Sequence, residues 1–167
     1  MSIWTGSIFL LYKKTNIKTI HLTCIVMHNH LYVAHWDHSR WLVLSSFLFM
    51  IPSAFAYNNN LYYHSGLLLL TTLVSINYWR DATYSWRRNL DIFVARTSFL
   101  TFMSTGIIYV RYVPYVVCGY AGLGCLTLSY NVSGKLWNEN NPNWYKYHAL
   151  FHILLVGEIL LILDSIR

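Results

Sequence analysis

Five long apolar blocks, separated by short polar interruptions, follow one another along the sequence from residue 41. They comprise residues 41–57, 61–79, 90–110, 114–130 and 147–163. Each block has 17 to 21 residues, and about 20 residues of helix are needed to span the hydrocarbon core of a bilayer. Backbone groups in lipid must bond within their own segment, and the sequence shows no alternating barrel pattern, so each block predicts a transmembrane helix.

The fold class that follows is an all-α integral membrane protein. We expect a bundle of about five transmembrane helices in residues 41–167, preceded by an interfacial N-terminal segment in residues 1–40. Residues 20–36 mix four histidines with apolar residues, so a helix in the plane of the interface is expected and a sixth span is the alternative. Within the first block, Pro52 predicts a kink because it cannot donate the backbone hydrogen bond of a regular helix.

Composition supports membrane insertion and excludes an ordinary soluble domain. Hydrophobic residues make up 56% of the chain and charged residues only 11%, whereas a soluble protein has about 25% charged residues. The formal charge of +6 would suggest nucleic acid in a soluble protein. In a membrane protein, positive charge at the ends of the helices indicates instead how the helices are oriented. Lipids and other membrane subunits are therefore the expected partners, and nucleic acid is not.

The positions of the basic residues predict the orientation. If the N-terminal segment and the loops at 80–89 and 131–146 share one face, nine lysines and arginines lie on that face. Only Arg111 and Arg167 then lie on the opposite face. By the positive-inside rule, the N-terminus and both loops are expected to be inside.

Four polar residues are expected to converge at the inner end of this bundle. Ser75 lies near the end of the second predicted helix and Asp91 near the start of the third, while His148 and His152 open the fifth. The two histidines are four residues apart, which places both imidazoles on one helix face at a spacing that zinc accepts. The alternative is a pair of interfacial histidines that bond to phosphates or to the neighbouring loop.

Two charges and two groups of small residues mark helix packing. Glu158 lies well inside the fifth predicted helix, and Arg96 is expected to pair with it as an intramembrane ion pair. The third predicted helix has a stripe of small polar residues, which is expected to pack against other helices. The fourth is rich in Gly and Cys, which predicts a central position or an association face.

Ser75, Asp91 and the His148/His152 pair together resemble the core pattern of the CREST superfamily of membrane hydrolases and receptors, which includes alkaline ceramidases and adiponectin-type receptors. The run Ser75-Ile-Asn-Tyr-Trp-Arg, followed by Leu90-Asp91, and the H-x-x-x-H of the last helix carry this resemblance. The family has a histidine four residues after the serine, where this chain has Trp79. The resemblance implies that zinc on His148 and His152 activates water, that Asp91 acts as base, that Ser75 steadies the oxyanion, and that a lipid amide is cleaved.

Two functions follow from these observations. The first is a structural or accessory subunit of a larger membrane assembly, in an organellar inner membrane or in a viral or other internal membrane. Its support is the aromatic content, the small-residue helix and the tryptophans of the polar loops. The second is a CREST-like zinc-dependent hydrolase of lipid amides. Zinc is the expected cofactor of the second, and haem or chlorophyll on His64, His148 or His152 is a variant of the first.

Overall fold

Six helices make up the part of the chain that this computed structural model describes, residues 32–167. They belong to one compact unit, Ala34–Arg167. The helices are α1 (Trp36–Phe47), α2 (Met50–Asn58), α3 (Tyr62–Trp79), α4 (Trp86–Tyr109), α5 (Val113–Asn138) and α6 (Trp144–Ser165). The predicted all-α membrane fold is therefore confirmed for the described residues.

Within residues 32–167, four stretches, rather than the five predicted, are long and apolar enough to cross a membrane. They are Trp36–Asn58, which contains α1 and α2, and the helices α4, α5 and α6. The predicted block at 61–79 does form a helix, α3, of 18 residues. Its polar positions, Tyr62, Tyr63 and His64 at the start and Asn77 near the end, make it less apolar than the other four.

The first span is interrupted where Pro52 predicts a kink. Helix α1 ends at Phe47 and α2 begins at Met50. Proline has no N–H to donate to the carbonyl four residues earlier, which here belongs to Leu48 in the interruption. The span therefore consists of two helices with a break next to Pro52, while a bend of the axis there stays a prediction.

Helices α3 and α6 occupy the middle of the bundle. α6 packs against α1, α2, α4 and α5, and α3 packs against α1, α2 and α4. The central position predicted for the small-residue helix α5 is wrong, because α5 packs mainly on α6 and lies at the periphery. Its role as an association face stays a prediction. The core comprises Phe49, Ala56, Leu68, Phe102, Val156, Ile159 and Leu163.

The connection between α5 and α6 is shorter than the predicted loop at 131–146. Helix α5 continues to Asn138 and α6 starts at Trp144, which leaves only residues 139–143 between them. The Ser133 hydroxyl donates to the backbone carbonyl of Trp144 at 3.2 Å, so the polar end of α5 is held against α6 instead of forming a loop.

The N-terminal prediction concerns residues that lie mostly outside the described part of the chain. Of the predicted interfacial segment 1–40, the structure describes only residues 32–40. Within these, Trp36 begins α1, five residues before the predicted start of the first span. The interfacial helix therefore stays a prediction.

Leu68 should contribute much more to stability than its neighbour Leu69. The Leu68 side chain is 1% exposed in the core, whereas Leu69 is 42% exposed on the outside of α3. In a membrane the cost of truncating a core leucine comes mainly from lost packing contacts and from the cavity that remains, because lipid is as apolar as the protein core. We therefore expect Leu68→Ala to lower the free energy of unfolding by about 2 kcal/mol. Leu69→Ala is the matched control. Equal effects of both in reversible unfolding from mixed micelles would contradict the core assignment.

Candidate functional site

Three helix termini meet at one end of the bundle. The His38 ring of α1 stacks on the Tyr145 ring of α6 at 4.8 Å between centroids. The Trp79 ring at the end of α3 lies 6.2 Å from the Trp144 ring at the start of α6. The connections at 80–85 and 139–143 therefore lie at the same end, as the predicted orientation requires. The side of the membrane that this end faces stays a prediction.

The histidine pair of α6 lies at this end, with both rings on one face. The centroids of the His148 and His152 rings are 5.0 Å apart. His152 is buried, and the Ser45 hydroxyl of α1 lies 2.8 Å from its Nδ1 atom. The same hydroxyl is 3.1 Å from the carbonyl of Leu42. The hydrogen bond between Ser45 and His152 orients the His152 ring and joins α1 to α6.

Ser75 and Asp91 form the second half of the site. The Ser75 hydroxyl of α3 lies beside the Asp91 carboxylate of α4. The Ser46 hydroxyl of α1 lies 3.1 Å from Ser75 Oγ and 2.7 Å from the Leu42 carbonyl. Because Ser45 and Ser46 are consecutive, α1 connects the histidine pair to the Ser75–Asp91 pair. The polar residues of α3, α4 and α6 that the sequence predicts to converge therefore lie around one segment of α1.

Ser45 and Ser46 are the site residues that sequence reasoning missed. They lie in the apolar run Trp41-Leu-Val-Leu-Ser-Ser-Phe-Leu-Phe, where a serine is usually interpreted as a small residue that allows close helix packing. The presence of two adjacent hydroxyls in one span was the signal that could have identified them, since polar groups in lipid need partners. The stripe of small polar residues predicted on α4 also packs against a neighbouring helix. Ser98 bonds to Thr71 of α3 at 2.6 Å, and Thr105 is buried.

Trp79 covers the histidine pair. Its ring is 6% exposed and lies 5.3 Å from the His148 ring in an edge contact. His148 also contacts Trp144 and Phe151 through their rings. The indole therefore stands against His148 at the position where the CREST pattern has a third imidazole.

The donor set is one ligand short of a zinc site. Catalytic zinc is held by three protein ligands and an open position. Within residues 34–167, no three side chains of His, Cys, Asp or Glu lie close enough to share a metal ion. His148 and His152 supply two imidazoles, and Asp91 lies beside Ser75 instead. The residues described here thus do not fit the zinc site that the resemblance implies.

The structure does not join Arg96 to Glu158, the predicted ion pair. The Glu158 carboxylate lies against α5, where a Cβ atom placed on Gly122 would be 1.5 Å from its Oε1 atom. Arg96 is exposed on the outer face of α4. The sequence shows that both charges are deep in spans, but it does not show that their helices turn these residues in different directions.

The third histidine considered for a pigment lies apart from the pair. His64 is near the start of α3 and contacts the rings of Tyr63 and Phe102. Since Trp79 at the other end of α3 contacts His148, His64 and the pair lie towards opposite ends of the bundle. One pigment cannot be ligated by His64 and by the pair together, and haem or chlorophyll binding stays a prediction.

These helices define an all-α multi-pass membrane protein with a Ser-Asp-His cluster at one end, in which Ser75 and His152 are buried. Comparisons of the chain with known protein families, curated proteins and solved structures find no match. The resemblance to the CREST pattern therefore rests on the residues named above.

The hydrogen bond between Ser45 and His152 should stabilise the contact of α1 with α6. Ser45→Ala removes the hydroxyl and leaves a buried imidazole nitrogen without its partner. Polar contacts between membrane helices contribute about 0.6 to 1.7 kcal/mol, so we expect a loss of about 1 kcal/mol in the free energy of unfolding. The control is Ser104→Ala, measured like Ser45→Ala on the monomer in mixed micelles, where Ser104 is exposed on α4 and no partner covers it. A Ser45 variant as stable as this control would show that the bond contributes nothing.

Proposed function

We propose that this protein is a structural or accessory subunit of a larger membrane assembly. The observation that carries the proposal is the outer face of α4, a membrane span that presents Arg96, Thr97 and Ser104 outward. Leu100 and Thr101 belong to the same open surface of α4. An arginine inside a span costs about 2.5 to 3.5 kcal/mol even on the most lenient scale. A partner helix that covers this face would remove that cost.

The small-residue face of α5 supports the same proposal. Gly124 has no atom within 4 Å of an added Cβ, so packing inside the chain does not require glycine there. Cys118 and Cys125 are exposed on the same helix. Small residues on an outer face allow another helix to approach closely. The assembly belongs in an organellar inner membrane or in a viral or other internal membrane, with the N-terminus inside.

The size of the particle in native membranes tests this function. The tagged full chain is extracted in mild detergent and its particle mass is measured by native electrophoresis and mass photometry. We expect a complex well above 19.6 kDa, and a smaller particle for Arg96→Ala. Arg111→Ala is the matched control, since Arg111 is exposed between α4 and α5. A wild-type chain that migrates as a monomer would refute the proposal.

A CREST-like zinc-dependent hydrolase acting on lipid amides is the second candidate, and the described residues supply two of the three protein ligands that its zinc would need. It is favoured by one observation, the grouping of Ser75, Asp91, His148 and His152 around Ser45 and Ser46 at one end of the bundle. Metal analysis of the purified chain tests it. About one zinc per chain, lost on changing both His148 and His152 to Ala, would support the hydrolase. No zinc in the wild type would refute it.

A further inference from the structure

Among residues 34–167, two opposite charges lie deep in candidate membrane spans and have no ionic partner. Arg96 of α4 and Glu158 of α6 are each at least seven residues from both ends of their helices. In the described part of the chain no other charged residue of a candidate span lies so deep. Some charges near the helix ends are paired, as Arg87 is with Asp81 and Arg167 with Asp164.

The two charges cannot meet within one copy as the helices are packed. The Glu158 carboxylate is half-buried against the backbone of α5 at Gly119 and Gly122. Arg96 points away from the bundle on α4, and α6 lies between α4 and α5 as the helix that both contact. No ion pair of residues 34–167 includes either side chain. Each charge therefore has an open side, and the open sides belong to different faces of the protein.

Their depths in the membrane are close enough for pairing between copies. Helices α4 and α6 run in the same direction, because α5 returns the chain between them. They are in contact at Gly106 and Ile162, where an added Cβ would lie 3.3 Å from Ile162 Cδ1. Arg96 lies ten residues before Gly106, and His152 lies ten residues before Ile162, so Arg96 and His152 are at about the same depth. His152 precedes Glu158 on the same helix, and Arg96 therefore lies about 9 Å along the axis from Glu158 at 1.5 Å per residue. Long, flexible arginine and glutamate side chains reach across such an offset.

We propose that Arg96 of one copy pairs with Glu158 of a second copy, and that this contact drives self-association in the membrane. The inference rests on the proposed function, since it names the partner that covers the outer face of α4. The chain supplies both members of the pair, with opposite signs and at neighbouring depths. In a medium of low dielectric constant their attraction is strong, and an unpaired charge is costly. Because the two open sides belong to different faces, the contact is heterologous, and its repetition round a ring closes the assembly.

Exchange of the charges tests the pairing. Full-length chains labelled with donor or acceptor fluorophores are reconstituted into liposomes of neutral phospholipid, and energy transfer is measured against protein density. We expect Arg96→Glu alone and Glu158→Arg alone to weaken association at least about tenfold, since each brings like charges together. Both changes in one chain should restore association to near the wild-type value. Singles that associate like the wild type, or a double variant that does not recover, would overturn the proposal.

Milder variants keep the test decisive if the charge reversals do not fold. Glu158→Gln preserves size and removes the charge, so it should weaken association, whereas Arg96→Lys preserves the charge and should retain it. The opposite result for either would overturn the pairing. The native-membrane particle is measured in parallel. A large native complex without energy transfer between copies would refute self-association alone, whereas monomers in both measurements would refute the proposed function as well.

Discussion

Replacing Trp79 with histidine should create a zinc site. The His148 and His152 rings lie 5.0 Å apart, and the Trp79 ring lies 5.3 Å from His148. An imidazole at position 79 would add a third nitrogen ligand and leave the fourth position to water, the arrangement of catalytic zinc sites. We expect Trp79→His to retain about one zinc per chain after dialysis against a weak chelator, and the wild type to retain far less.

Two further variants control this prediction. Trp137→His makes the same exchange at the same end of the bundle, but Trp137 contacts Trp144 rather than a histidine. It should bind no more zinc than the wild type. Adding His148→Ala to Trp79→His should abolish binding. Zinc should also raise the melting temperature of the Trp79 variant alone, because a ligand of the folded state stabilises it. Unchanged zinc content would show that the rings do not converge as ligands.

The histidine pair and its neighbours were predictable because helix geometry relates sequence spacing directly to position. Residues four apart share a helix face, so His148 and His152 had to adjoin once the segment was helical. Hydropathy likewise placed Ser75, Asp91 and the histidines at one end. The two adjacent hydroxyls of Ser45 and Ser46 indicated that they need partners, but the sequence could not identify those partners, which are residues of distant helices.

The errors have a common physical cause, which is that hydropathy reports depth in the membrane but not the rotation of a helix about its axis. Arg96 and Glu158 are both deep, yet Glu158 turns towards α5 and Arg96 faces outward. Small residues on α5 indicate close approach of another helix but not the number of neighbours, so its peripheral position was missed. The polar residues after Tyr130 were predicted to form a loop, because the sequence does not show that a side chain such as Ser133 bonds to the backbone of the next helix, at Trp144.

A large side chain at Gly122 should separate α5 from α6. A Cβ atom there would lie 1.5 Å from Oε1 and 2.4 Å from Cδ of Glu158, so the carboxylate and the new side chain cannot share the space. Because α5 packs mainly on α6, its docking has no other large interface to compensate. We expect Gly122→Leu to lower the free energy of unfolding in mixed micelles by about 3 kcal/mol, the upper range for overpacking.

The control and the double variant identify Glu158 as the cause. Gly124→Leu adds the same side chain two residues away on α5, where no atom lies within 4 Å of an added Cβ, and it should be nearly neutral. Glu158→Ala removes the obstructing carboxylate, so the Gly122→Leu/Glu158→Ala chain should recover at least half of the loss. A double-mutant cycle measures this coupling. If the two effects simply add, the Glu158 carboxylate does not occupy the space beside Gly122, and the half-buried placement on which the pairing with Arg96 depends would be wrong.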